Sequence, residues 1–350
     1  MPIRNPEHSL ASHNRDALVQ VAYALRADTH ATTQEYGAFL DQQPLPLVPR
    51  GTRETLSAKD GTSLWVNRSL RFQEGDDHPP EIGDGSAPLS GLLSGHAVAW
   101  VQDPGTRVWT PLRLRGEWVE VVRSLEPGRP EPGGLPAATR RLLAMAKVLV
   151  SREHETEGVA RWSQVCQSAQ ASYRAHGYAV LRDLIDPLAL GALRAYYRTL
   201  VAAGQLTLGD ALVRGRYCLH SEVFARFLHP QLGDLVTRIT GEAVKPSYVY
   251  FASYQPGASL ARHLDREQCE FSISLLADYA PETDGPCGWP LLMENPASPG
   301  LVHSVDLGVG DGVLYRGREL VHFRDPLPSG HQSTSMFLHY VRPDFEGRLW

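Results

Sequence analysis

The chain has 350 residues, of which 42% are hydrophobic and 21% are charged, and its formal net charge at pH 7 is −5. This composition excludes a wholly disordered chain, and the scattered Lys and Arg residues predict no nucleic-acid partner and no polybasic membrane patch. No apolar run approaches the roughly 18 residues that span a bilayer, and the first residues lack the apolar stretch of a signal peptide, so we expect a cytoplasmic protein.

The N-terminal third predicts a small α+β module over residues 1–125, because the chain is longer than one usual compact domain. Apolar residues from Ala17 to Leu40 recur at helical spacing. Short strands are predicted at Ser63 to Phe72, Ala97 to Gln102 and Glu117 to Val122. Residues 126–136, EPGRPEPGGLP, predict a linker, since Pro and Gly interrupt both helices and internal strands.

Residues 137–350 predict packing helices followed by a sheet-rich domain. Helices are expected at Ala138 to Val150 and Val159 to Ala175, and a strand at Gly177 to Ile185. Asp186-Pro187 supplies a helix N-cap followed by proline at the first helical position. The following helix should bury one face against a sheet through residues at helical spacing, namely Leu190, Leu193, Tyr197 and Leu200.

From Ser247 onward the sequence predicts short strands divided by Gly- and Pro-containing turns. The predicted strands are SYVYFASY, CEFSISLLADY, WPLLME, LVHSVDL, GVLYRGRELVHF and STSMFLHYV. This spacing is typical of a double-sheet antiparallel jelly roll, or double-stranded β-helix. The expected fold is therefore α+β, with a barrel core at about residues 177–341.

The tripeptide His263-Leu264-Asp265 follows the first of these strands and a QPG turn. In an extended segment, residues i and i+2 project to the same side, so His263 and Asp265 can bind one ion. Two histidines and one carboxylate form a facial triad that leaves coordination positions open for a chelating cosubstrate and dioxygen. A third ligand is then expected from a facing strand downstream.

Four histidines lie downstream of this motif, and His322 is the predicted third ligand. It follows GVGDGVLY in a strand-like run, whereas His331 follows a Pro-Ser-Gly turn and His303 belongs to an earlier hairpin. With 14 histidines in the chain, a His-x-Asp tripeptide by itself is weak evidence. The order of strand, turn, motif, glycine-rich hairpin and late histidine strengthens the prediction.

In these motifs the sequence resembles the bacterial Fe(II)- and 2-oxoglutarate-dependent oxygenase superfamily. GYAVLRDLIDPLALGALRAYYRTL is similar to the start of the catalytic domain in phytanoyl-CoA-hydroxylase-like and prolyl-hydroxylase-like members, and the resemblance covers about Gly177 to Tyr340. It implies an oxidoreductase that uses Fe(II), 2-oxoglutarate and O2 to hydroxylate an unactivated C–H bond. The expected substrate is a peptide, an amino-acid derivative or another small molecule. Asp265 argues against halogenation, while desaturation and cyclisation stay open.

Members of this family usually bind the distal carboxylate of 2-oxoglutarate with an Arg or Lys shortly after the second histidine. This chain has Gln332 there, followed by Thr334, and a neutral amide does not replace a guanidinium. Arg324 is the first alternative, with Arg318 on the same face if the run is extended, and Arg266 is the next.

Small and aromatic residues supply further candidates for contacts with the cosubstrate. Tyr248, Tyr250 and Tyr254 alternate on the strand before the motif, and Tyr250 is our candidate among them. Ser272 and Ser274 also share a face and are candidates for lining the same pocket. Aromatic residues favour strands in any protein, so core packing is the simpler explanation of the tyrosines.

Two other functions stay open at this point. One is a zinc-dependent, cupin-like hydrolase or isomerase, because zinc accepts His and Asp ligands. The other is a non-catalytic jelly-roll binding module, which Gln332 favours. The N-terminal module suggests recognition of a larger substrate or a purely structural role, and the sequence leaves the oligomeric state unknown.

Overall fold

The computed structural model describes residues 63–75, 89, 93, 95–114, 116–185, 187–202, 206–283 and 285–349. The helix predicted between Ala17 and Leu40, and Asp186, lie outside these residues. The helices are α1 (Glu117–Arg123), α2 (Ala137–Met145), α3 (Arg152–His176), α4 (Pro187–Ala202), α5 (Val223–Gln231) and α6 (Gly233–Thr240). No described helix is both long and apolar enough to span a membrane.

The strands of the N-terminal part are β1 (Trp65–Val66), β2 (Arg71–Gln73), β3 (Ala97–Gln102), β4 (Trp109–Leu114) and β5 (Leu149–Val150). Those that follow are β6 (Tyr178–Leu181), β7 (Arg216–His220), β8 (Lys245–Tyr254), β9 (Leu260–His263), β10 (Phe271–Ala280), β11 (Leu291–Glu294), β12 (Val302–Val305), β13 (Gly312–Arg316), β14 (Val321–Arg324) and β15 (Gln332–Val341). The mixed composition of helices and antiparallel strands expected from the sequence is confirmed.

Two antiparallel sheets make up the C-terminal part of the described chain. The major sheet has the order β6-β13-β10-β15-β8-β7, and the minor sheet has the order β12-β11-β14-β9. Leu276 and Tyr315 of the major sheet share one hydrophobic cluster with Leu260 and Met293 of the minor sheet. The two sheets therefore pack against each other, and we call the space between them the inter-sheet interior.

Helix α4 covers the other face of the major sheet, as the apolar spacing predicted. The four residues named for this face, Leu190, Leu193, Tyr197 and Leu200, are all buried. They share a cluster with Ile273 and Leu275 of β10. Because helices cover one face of β10 and the minor sheet covers the other, nine of its ten residues are buried, and seven of the ten are apolar.

The predicted strand Glu117 to Val122 is wrong, because these residues form helix α1. Trp118 and Val122 are four residues apart, and both are buried on one helix face. Glu117 and Glu120 in the first turn and Arg123 in the last turn suit the helix dipole. The run EWVEVV satisfies helical spacing as well as strand alternation, and the flanking charges favour the helix.

Two further predicted boundaries differ from the structure. The predicted strand Ser63 to Phe72 is split into β1 and β2, because Asn67 accepts a hydrogen bond from the Ser69 backbone and forms a turn. The predicted helix Ala138 to Val150 ends at Met145, and Lys147 has a positive φ of 57° that precedes β5. The predicted strand Ala97 to Gln102 agrees with β3.

Residues on both sides of the segment 126–136 share one hydrophobic cluster, which extends from Leu64 to Leu149. Strand β1 pairs with β5, so the chain returns to its starting sheet after this segment. Trp100 of β3 instead packs in the cluster of α4 and the major sheet. Whether the segment is a linker that ends a module at residue 125 stays a prediction.

Asp278 on β10 should hold α4 in place through a buried ion pair. Its side chain and that of Arg194 are each 7% exposed, with Arg194 Nε 2.7 Å from Asp278 Oδ1. Asp278→Ala leaves the buried Arg194 guanidinium with Glu282 as its remaining carboxylate partner, so we expect a loss of about 3 kcal/mol in the free energy of unfolding, measured with urea. Arg198, whose side chain is 51% exposed, also contacts Asp278, and Arg198→Met should cost about 1 kcal/mol or less. Equal losses in the two variants would contradict this assignment.

Candidate functional site

The three residues predicted as metal ligands lie together where β9 pairs with β14. His263 is the last residue of β9, and its Cα is paired with that of His322 across the antiparallel ladder. The two rings have a centroid separation of 4.2 Å. Asp265 follows two residues later, with Oδ1 3.7 Å from His263 Nε2 and 3.5 Å from His322 Nε2. One carboxylate oxygen therefore faces both imidazoles.

Backbone carbonyls hold both histidine rings in the orientation that metal binding requires. His263 Nδ1 lies 2.9 Å from the carbonyl oxygen of Ala261 and 3.1 Å from that of His322. His322 Nδ1 lies 2.9 Å from the carbonyl oxygen of Leu320. Donation from Nδ1–H to these oxygens leaves the Nε2 lone pair of each ring pointing toward Asp265. Histidine ligands in metal sites are commonly held in this way.

The protonation states at the site also suit a divalent cation. Burial alone would raise the pKa of the Asp265 carboxyl, but the neighbouring histidines, His322 first and then His339 and His263, together outweigh burial and lower it below its ordinary value. Burial, and then the adjacent His322 ring, lower the pKa of His263. The ligand atoms of the three residues lie within 4.8 Å of one another. Two nitrogens and one carboxylate oxygen therefore fit a facial metal triad.

The absence of a side chain at Gly317 makes room for Asp265. A Cβ atom at this position would collide with Asp265 Oδ2 and with the carbonyl oxygen of Cys269, and it would lie 2.9 Å from Ser272 Oγ. The Gly317 carbonyl oxygen also accepts a 2.9 Å hydrogen bond from the Asp265 amide. Gly317 therefore fixes Asp265 through its backbone while leaving space for the carboxylate, a role that the sequence analysis did not assign.

The second oxygen of Asp265 is held from within the major sheet. Ser272 donates a 3.1 Å hydrogen bond to Asp265 Oδ2, and Ser272 Oγ lies 2.9 Å from His339 Nδ1. Burial lowers the pKa of His339 to about 4, so this ring is neutral at pH 7. Ser272 was predicted as a pocket residue, whereas His339 is one of the four histidines downstream of His263 and was given no role. Its place opposite Ser272 follows from the register of β10 and β15.

Arg324 extends into the inter-sheet interior two residues after His322. It is 5% exposed, and its guanidinium donates to the Trp289 carbonyl oxygen and lies 4.4 Å from the Trp289 ring centroid. Among the described residues, no carboxylate is within ion-pair distance of it. Burial lowers the pKa of this guanidinium. A buried cation without an anionic partner is costly, and it marks a place where an anion would be stabilised.

Polar groups of the major sheet lie near Arg324. Ser333 on β15 is paired with Tyr254 on one side and Tyr279 on the other, and its buried hydroxyl has no hydrogen-bond partner within the described part of the chain. Tyr254 packs on Trp289, the residue that also stacks on Arg324, with ring centroids 5.1 Å apart. The Tyr279 hydroxyl lies 2.8 Å from His331 Nδ1. These groups surround a polar end of the interior.

Arg318, another cosubstrate candidate, lies at the surface. The predicted strand GVLYRGRELVHF is divided into β13 and β14, and Arg318 lies in the turn between them. Its side chain is 52% exposed, and its Nη1 lies 3.9 Å from Glu270 Oε1. This break overturns the expectation that Arg318 shares the face of His322, whereas Arg324 keeps it.

Gln332, Arg266 and Tyr250 make other contacts. Gln332 is exposed and donates to Gln255. Arg266 is exposed, with its guanidinium 5.4 Å from the Tyr248 ring centroid. Tyr250 donates a 2.8 Å hydrogen bond to Asp210. None of these observations places the three residues beside Arg324.

Substitution at Gly317 tests the packing of the site. Gly317→Ala should weaken the binding of Mn²⁺ or Co²⁺ by about tenfold or more, because the new methyl group displaces Asp265. Gly233→Ala is the control, since a Cβ there meets nothing within 4 Å. Isothermal titration of both variants measures the change. Unaltered metal affinity in Gly317→Ala would show that Asp265 does not need this space.

No protein-family model and no curated protein matches the chain. Solved structures to which the chain is similar include a prolyl-4-hydroxylase from Pseudomonas putida, which is 22% identical, with 51% of this chain and 98% of that chain covered and a TM-score of 0.40. A 2OG-Fe(II) oxygenase-family oxidoreductase from Burkholderia pseudomallei is 13% identical, with coverages of 52% and 92% and a TM-score of 0.41. HygX from Streptomyces hygroscopicus, with nickel, 2-oxoglutarate and hygromycin B bound, is 12% identical, with coverages of 53% and 89% and a TM-score of 0.41. The chain is similar to these proteins over about half its length.

Proposed function

We propose that the protein is an Fe(II)- and 2-oxoglutarate-dependent dioxygenase in which His263, Asp265 and His322 hold the metal. The observation that supports this function is the convergence of two imidazole nitrogens and one carboxylate oxygen within 4.8 Å. This ligand set leaves adjacent coordination positions for a chelating cosubstrate and dioxygen. The two facing antiparallel sheets, with the triad at one of their ladders, support a jelly-roll fold for this part of the chain.

When bound, Fe(II) supplies the redox chemistry that couples oxidation of 2-oxoglutarate by dioxygen to hydroxylation of an unactivated C–H bond. The residues of the chain bind the metal and the cosubstrate, orient the ligands and exclude water from the site. Hydrogen bonds to backbone carbonyls orient the two imidazoles, and Ser272 orients the Asp265 carboxylate. The rings and aliphatic side chains of the inter-sheet interior keep this chemistry away from bulk solvent.

Arg324 is the residue we assign to the distal carboxylate of 2-oxoglutarate. It follows His322 by two residues on β14, so their Cα atoms are about 6.6 Å apart along the strand and their side chains share a face. That spacing suits a five-carbon dicarboxylate with one end bound to the metal and the distal carboxylate at Arg324. The Ser333 hydroxyl, which lacks a partner in the described structure, would complete the hydrogen bonds of the carboxylate.

The wall of the inter-sheet interior beyond Asp265 suits a substrate that is a peptide or a ring-containing small molecule. Tyr248 packs against His339 with ring centroids 4.5 Å apart and against His220 at 6.2 Å. His220 in turn lies 4.7 Å from the Tyr250 ring. Such a wall offers flat apolar surfaces with polar edges.

The alternative of a non-catalytic module was favoured by Gln332, which stands where the family usually has Arg or Lys. The side chain of Gln332 is exposed, so its identity no longer favours that alternative.

Loss of Asp265 should abolish both metal binding and turnover. Wild-type protein reconstituted anaerobically with Fe(II) and 2-oxoglutarate should show the weak visible metal-to-ligand charge-transfer band, and should form succinate when dioxygen is admitted. Asp265→Ala should show neither, whereas the exposed carboxylate variant Asp234→Ala should show both. Succinate formation by Asp265→Ala at the wild-type rate, or absence of the band in wild-type protein, would refute the proposal.

Arg324→Met should raise the Kd for 2-oxoglutarate about 100-fold, because the buried guanidinium supplies a charge-assisted contact. The affinity for Mn²⁺ alone should not change, since Arg324 does not touch the triad. Titration of the metal-free protein with Mn²⁺, and then of the Mn²⁺-loaded protein with 2-oxoglutarate, measures the two constants. Arg318→Met is the matched comparison and should keep the wild-type Kd. A large effect in Arg318→Met and none in Arg324→Met would place the anchor at the surface turn instead.

A further inference from the structure

A second group of metal-binding side chains lies on the other side of the Asp265 carboxylate. Asp265, Cys269 and His339 each offer one ligand atom, and these atoms lie within 4.8 Å of one another. Cys269 is 1% exposed and His339 is 5% exposed. Asp265 therefore stands between two ligand sets, one with two imidazoles and one with an imidazole and a thiol.

The His339 ring has a nitrogen available for a ligand. The Ser272 hydroxyl has a single proton and donates it to Asp265, so Ser272 Oγ accepts a hydrogen bond from His339 Nδ1–H. The Nε2 lone pair of His339 then has no hydrogen-bond partner among the described residues. One nitrogen of this imidazole is therefore available to coordinate a cation.

The Cys269 thiol supplies a soft ligand in the same group as the His339 ring. Its Sγ lies 3.1 Å from the Tyr248 hydroxyl, and the turn from Arg266 to Cys269 is closed by a 3.0 Å hydrogen bond between their backbones. This turn fixes the thiol four residues after Asp265. Thiolate, imidazole and carboxylate together form a ligand set that selects Zn²⁺ over oxygen-preferring cations.

We propose that Asp265, Cys269 and His339 form a second metal site that binds a thiophilic divalent cation, of which Zn²⁺ is the physiological example. Binding releases the thiol proton to solvent, and the thiolate, the His339 Nε2 and one Asp265 oxygen become the ligands. Because Asp265 belongs to both sets, a cation here lowers the affinity of the triad for Fe(II). This consequence for activity rests on the function proposed above, whereas binding itself does not.

Co²⁺ titration of the metal-free protein tests the site without any turnover. Wild-type protein and Cys166→Ala, whose thiol lies in helix α3, should both develop the intense near-ultraviolet thiolate-to-cobalt charge-transfer band. Cys269→Ser should lose this band, and His322→Ala, which weakens only the triad, should keep it. Absence of the band in wild-type protein, or its persistence in Cys269→Ser, overturns the proposal.

X-ray absorption of the zinc-loaded wild-type protein gives the same test without a substitution that could affect folding. One sulfur ligand at about 2.3 Å is expected, and a shell of nitrogen and oxygen only would refute the site.

Inhibition by zinc tests the expected effect of the second site on the triad. Zn²⁺ should inhibit Fe(II)-dependent succinate formation at about tenfold lower concentration in wild type than in Cys269→Ser. Equal inhibition of both proteins would show that zinc acts at the triad instead.

Discussion

The antiparallel pairing of β9 with β14 is the constraint on which the site depends. It sets His263 opposite His322, and backbone carbonyls in the ladder and just before it hold the two rings. A slip of one residue in this register would turn one imidazole to the opposite face, because side chains alternate along a strand. The sheet hydrogen bonds therefore determine the ligand geometry, and the hydrophobic cluster between the two sheets keeps the ladder in place.

Asp265 connects this ladder to the major sheet. One carboxylate oxygen faces the two imidazoles, and the other accepts the hydrogen bond of Ser272 from β10. A charged group this deeply placed is tolerated because both oxygens have polar neighbours and Gly317 leaves it room. The same carboxylate serves both proposed metal sites, and Arg324 supplies the opposite charge at the far end of the interior.

The sequence predicts those features that depend on local periodicity. The buried face of α4, the order of the late strands and the i, i+2 relation of His263 and Asp265 all follow from spacing along the chain. Features that depend on register or on a break in a strand do not follow. Arg318 was placed wrongly because the turn between β13 and β14 is hidden in a strand-like run, and the partnership of His339 with Ser272 needs the pairing of β10 with β15.

Strand β9 is four residues long and lies at the edge of the minor sheet, so β14 is its one neighbouring strand in the described sheet. An edge strand this short is among the first elements to detach when a folded protein opens locally. An ion bound by residues of both β9 and β14 would stabilise their pairing. The amide hydrogens of β9 should therefore exchange more slowly in the metal-bound protein. Metal binding and the pairing of β9 with β14 are therefore thermodynamically linked.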